Sequence, residues 1–80
     1  MQKTLNELSS GEKGLVKKII AQGKIKRRLC DMGITPGAAI MLRKVAPLGD
    51  PLEINIRGYE LSIRKSEAKN VLVDVEGGGK

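Results

Sequence analysis

The sequence contains no histidine, no tryptophan and no phenylalanine, and it has a single tyrosine, Tyr59, and a single cysteine, Cys30. Histidine is the side chain that ordinarily changes charge near neutral pH. Without it, a Ser or Cys nucleophile has no imidazole base in this chain. General acid–base work would fall to a strongly perturbed carboxylate or lysine. Ferrous iron and zinc draw mainly on His and Cys ligands. Cys30 offers one soft ligand, and Asp31 beside it on a helix points another way. Cys30 therefore reads as a packing residue. No stretch matches the phosphate-loop pattern Gly-x-x-x-x-Gly-Lys-Ser/Thr. The residues predict no catalytic group, no metal site and no cofactor.

The other absences bear on partners and location. Single-stranded nucleic acid is usually held by stacking bases on aromatic rings, and proline-rich ligands sit in aromatic grooves; neither feature is available here. A lone cysteine allows no internal disulfide, which fits a reducing compartment. No apolar run approaches the ~20 residues that span a bilayer. Met1-Gln2-Lys3-Thr4 leads into no apolar signal segment. These features predict a cytoplasmic protein without membrane insertion.

The chain has 80 residues, with 15 Lys and Arg against 9 Asp and Glu, a net charge of +6. That length suits one domain whose stability is about 4–12 kcal/mol. A basic surface is either simply solvated or faces an anionic partner.

The pattern of residues is mainly that of short strands. Thr4-Leu5-Asn6-Glu7 has the spacing of a capping box on a short helical turn, with Leu5 and Leu8 facing inward. Residues 14–22 form a first strand whose alternation fails around Lys17-Lys18, which predicts a bulge. Residues 24–32 form a helix with Ile25, Leu29 and Met32 on one apolar face, stopped by Gly33. Residues 38–45 form a second strand, and Ala46-Pro47-Leu48-Gly49-Asp50-Pro51 is a loop. Leu52, Ile54 and Ile56 alternate with polar residues. Tyr59, Leu61 and Ile63 do the same beyond Gly58, predicting a hairpin. Ser66 can cap a helical turn over 66–70, and Val71, Val73 and Val75 form a last strand. The core is expected to include Leu29, Met32, Leu52, Ile54, Ile56, Leu61 and Val73, with Gly33, Gly37, Gly49 and Gly58 serving turn geometry. About five strands, one inserted helix and a short C-terminal helical turn favour a small β-barrel, whose closure would remove exposed edges. Residues 1–75 are assigned to one domain, and 76–80 to a disordered glycine-rich tail.

Three segments, in order, carry a resemblance. Arg28-Leu29-Cys30-Asp31-Met32-Gly33-Ile34-Thr35-Pro36-Gly37 resembles the helix-and-turn motif of the bacterial ferrous iron transport protein A (FeoA) family. Ala46 to Pro51 resembles its central loop, and Arg57 to Ala68 its hairpin and final helical turn. The resemblance runs from about Thr4 to Val75. It implies an SH3-like barrel in the cytoplasm that docks on and modulates FeoB, a ferrous iron permease with a cytosolic G-protein domain. A link to transition metal ions is implied at family level only. Weak self-association is a further expectation. Two other readings stand beside this one. One is a nucleic-acid-binding barrel, motivated by the net charge and disfavoured by the missing rings. The other is a stand-alone regulatory domain acting on a metal-dependent repressor, whose SH3-like domain the family resembles in fold.

The residues expected to meet a partner are Arg27, Arg28, Asp31, Leu48, Asp50, Arg57 and Arg64. Leu48 is either folded over the barrel mouth or exposed as an apolar anchor. Asp50 either caps its own turn or pairs with a partner's basic group. Arg27 and Arg28, extended by Lys17, Lys18, Lys24 and Lys26, are either solvated, locally paired or a patch that orients docking. Arg57 and Arg64 either join that patch or pair with Glu53 and Glu60.

Overall fold

The computed structural model describes residues 1–75; the glycine-rich tail assigned to 76–80 lies outside them. The elements run β1 (Gln2–Thr4), a 3-10 turn (Leu5–Glu7), β2 (Lys13–Ile19), α1 (Gly23–Asp31), β3 (Ala39–Val45), β4 (Leu52–Ile56), β5 (Tyr59–Ile63), α2 (Lys65–Ala68) and β6 (Val71–Val75). The strands form one antiparallel sheet in the order β1-β6-β2-β3-β4-β5. It curls around a single core in which Leu5, Leu29, Ile34, Ile40, Leu42, Ile54, Ile56, Ile63, Val71 and Val73 are the largest fully buried side chains. The architecture is the expected small SH3-like barrel, mainly β with one inserted helix.

Six strands replace the expected five. β1 carries no alternation of its own and is recruited by backbone pairing to β6, Gln2 opposite Asp74 and Thr4 opposite Leu72. Closure is also incomplete: β1 and β5 are the two ends of the hydrogen-bonded order. β2 is Lys13–Ile19 rather than 14–22, and its register with β6 shifts between Val16 and Lys18, where the broken alternation predicts a bulge. The shift puts Val16 and Ile19 inside and leaves Leu15 outside. Glu12, in the turn before β2, accepts from the Ser9 N–H at 2.8 Å and from Lys3 Nζ at 3.2 Å. These two contacts, the Ser9 bond foremost, hold its carboxyl below the usual range.

Helix α1 ends in a Schellman motif. The Gly33 N–H donates to the Cys30 carbonyl and the Ile34 N–H to the Leu29 carbonyl, with Gly33 at φ 91°. The apolar contact that accompanies this motif is present, since Leu29 and Ile34 are both fully buried in the same core. Leu29 is the only buried residue of α1. Met32 and Leu61, expected in the core, are partly buried against it, whereas Ile25 is exposed. Along the apolar stripe, only Leu29 in the last turn is fully covered by the barrel.

β4 and β5 are joined by the turn Arg57-Gly58, with φ of 51° and 89°. Two consecutive positive φ angles are those of a type I′ turn, whose twist matches the flanking strands.

Candidate partner-docking surface

The loop between β3 and β4 is built to hold one apolar side chain outward. Val45 and Leu52 are the last residue pair before it. The Gly49 N–H donates to the Ala46 carbonyl at 2.7 Å, and the Ala46 N–H to the Pro51 carbonyl at 3.1 Å. Leu48 stands at the tip of that turn and is 95% exposed. Of the two positions open to it from sequence, the structure shows the exposed one.

Asp50 does not stay within its own turn. Its Oδ1 accepts from the Lys65 N–H at 3.0 Å, across to the start of α2. A helix leaves its first N–H groups without intrahelical partners, and a carboxylate there also favours the helix dipole. The Asp50–Pro51 peptide is cis. Asp50, Pro51 and the exposed Arg64 line one shallow depression of about 340 Å³. Ser66 is not the cap of α2, because the helix starts one residue before it. The N-cap residue is Arg64, whose N–H donates to Glu67 at 3.1 Å, while Asp50 takes the Lys65 N–H. Replacing Asp50 by alanine is expected to cost about 1 kcal/mol, the usual loss for a helix cap. A shift in urea midpoint, with faster amide exchange at Lys65, would register it.

Arg28 is committed locally: its Nε lies 2.7 Å from Glu67 Oε2, tying α1 to α2. Arg27 and Asp31 are exposed and make no ion pair among the described residues. Arg57 pairs with neither Glu53 nor Glu60. It sits in the turn itself, and its Nη2 donates to Thr35 Oγ1 at 2.9 Å, with Nε 3.5 Å from the Gly33 carbonyl. It therefore clasps the β4–β5 hairpin to the turn after α1. Glu60 is taken instead by Arg43, at 3.5 Å, and by Asn55, at 3.2 Å. Arg64 also pairs with neither glutamate among the described residues.

The seven residues are thus dispersed. Leu48, Asp50 and Arg64 belong to the loop and α2 side, while Arg27, Arg28 and Asp31 lie on α1. Arg57 sits at the hairpin turn. Sequence reading missed a groove of about 360 Å³ on the outer face of β2, β3 and β4, lined by Leu15, Ala39, Met41 and Asn55 between Lys13 and Arg57. Its signal was available once the bulge is placed at Lys17, because Leu15 then falls on the outward parity. Among the described residues, no group of three His, Cys, Asp or Glu is arranged to hold a metal ion. No helix among them is long and apolar enough to cross a membrane.

The FeoA domain family model matches residues 3–75. A Fe(2+) transport protein A/Fe(2+) transporter FeoB fusion protein of Porphyromonas gingivalis is 30% identical over 71 residues, which are 89% of this chain and 8% of the fusion protein. The chain thus spans a small part of that relative. The solution structure of an FeoA-like protein from Clostridium acetobutylicum is 44% identical with a TM-score of 0.87, over 94% of this chain and 87% of that one. A zinc complex of FeoA from Stenotrophomonas maltophilia, described as an SH3 domain protein, is 32% identical with a TM-score of 0.78, over 90% of this chain and 89% of that one. From the helix-and-turn segment through the proline-bounded loop to the final helical turn, the chain belongs to the FeoA domain family.

Proposed function

We propose that this protein is an accessory domain of ferrous iron uptake that docks on the cytosolic side of a FeoB-type permease, or on its G-protein domain, and modulates it without performing chemistry of its own. The observation that carries this reading is the relative in which a homologous domain and the transporter FeoB are one chain. Covalent linkage raises the effective concentration of two modules that must meet. It supports a direct contact between their separate counterparts. The barrel also has the form of a contact module, with short turns on a rigid body and an aliphatic side chain at one tip.

Leu48 is the apolar anchor in this reading, since an exposed aliphatic group fixed on a closed turn gains most from a partner's pocket. Asp50 and Arg64 rim it, and Arg27, Arg28, Asp31 and Arg57 contribute charge that orients the approach. Leu48→Asp is expected to weaken capture by the purified permease at least tenfold, about 1.4 kcal/mol or more. The thermal midpoint should stay within error, because the side chain touches nothing that folding needs. Undiminished capture by the variant would remove Leu48 from the interface.

A further inference from the structure

The first six of the nine residues of α1, Gly23 to Arg28, are all exposed. The chain leading into the helix and most of its length are cationic, up to the exposed Asp31 at its end. From Lys13 through Cys30 there are seven Lys and Arg and no Asp or Glu. Arg28 is held by Glu67, but Lys17, Lys18, Lys24, Lys26 and Arg27 make no ion pair among the described residues. Two aliphatic side chains stand among these cations: Ile20 is 50% exposed and Ile25 is 44% exposed. Ile25 lies on the same helical stripe as the fully buried Leu29, one turn earlier, where cover is only partial.

We propose that this face is a docking surface for an anionic lipid bilayer. The lysines and Arg27 meet the headgroup charge, and Ile20 and Ile25 enter the boundary between headgroups and acyl chains. Charge complementarity selects an anionic occupant. The residue types favour lipid over the other polyanions. Lysine predominates over arginine among the free cations, and protein interfaces deplete lysine. A diffuse anionic surface needs only point charges on flexible stems. Single-stranded nucleic acid would call for stacking rings, and the sole aromatic residue, Tyr59, lies on β5. One aliphatic residue among lysines on the exposed helix, Ile25, with a second just before it, Ile20, is a short form of the interfacial-binding pattern and gives weak, reversible attachment. The proposal agrees with a partner that is a transporter, yet it does not depend on that partner.

The test is flotation of the full chain with phosphatidylcholine vesicles, with and without about one third phosphatidylglycerol. Binding should require the anionic lipid and vanish at high salt. Removing charge in a Lys17→Gln/Lys18→Gln/Lys24→Gln variant should weaken it by a factor of roughly a hundred, about fivefold per lysine. Ile25→Ser, with an unchanged circular dichroism spectrum, should weaken it several-fold at constant salt. Equal or absent binding to both vesicle types overturns the proposal, as does indifference to either variant. Tighter retention by poly-glutamate or duplex DNA at matched charge would also overturn it, by showing a general polyanion site. No permease is present in this assay, so its failure leaves the docking reading untouched. The Leu48→Asp variant is expected to float like the wild type.

Discussion

Replacing Gly14 with valine is expected to destabilise the fold by about 3 kcal/mol or more. Gly14 is buried in β2, opposite Ile40 on β3 and Val75 on β6. A Cβ there would press on the Asp74 carbonyl oxygen and stand 2.9 Å from Val73 Cγ1. The obstacle is largely backbone, and β6 cannot retreat without losing its ladders to both β1 and β2. The φ of Gly14 is not positive, so the requirement is for space and not for a left-handed backbone. Against a total of about 4–12 kcal/mol, such a loss takes a large share of the stability. A urea titration should show a lower midpoint with an unchanged slope, and a wild-type midpoint would mean that β2 and β6 are not so closely apposed.

Leu29→Ala should cost about 2–5 kcal/mol, the range for emptying a fully buried leucine site. Leu29 is the only buried residue of α1, and it also forms the apolar half of the Schellman stop with Ile34. Truncation therefore removes the helix anchor and the contact that ends the helix together. The expected signature is a reduced urea midpoint together with faster amide exchange along α1, since local opening precedes global unfolding where few contacts hold an element. Exchange in α1 that stays at wild-type rates would show that the Arg28–Glu67 pair holds the helix instead.

Much of the barrel is legible because its signals are local. The alternation of 52–56 and 59–63 around Arg57-Gly58 specifies both strands and the turn between them. Gly33 after an apolar helix stripe specifies the stop. β1 was not legible because three residues carry no usable period, and their strand exists only through β6. Ile25 shows the limit of a helical stripe, since the pattern tells which side faces the barrel but not where the barrel ends. Gly14 did leave a trace, as a glycine inside a strand often marks a close backbone approach.

The candidate docking surface was legible in part for similar reasons. Leu48 at a proline-bounded tip can be proposed from sequence, and its exposure follows from the short turn that carries it. The contacts of Asp50 with Lys65 and of Arg57 with Thr35 join residues 15 and 22 positions apart. No local pattern encodes such pairs. They also change what these charges offer a partner. Asp50 and Arg57 already hold the barrel's turns in place, whereas Arg27 and Leu48 are free of such duties among the described residues.

In the proposed function this barrel acts by direct contact with a FeoB-type permease. The most direct measurement is the equilibrium binding of the purified chain to detergent-solubilised full-length FeoB-type permease, with wild type and Leu48→Asp side by side. Saturable binding by the wild type, with at least a tenfold loss in the variant, is the predicted result. No binding of the wild type to the permease, with or without a guanine nucleotide, would contradict it.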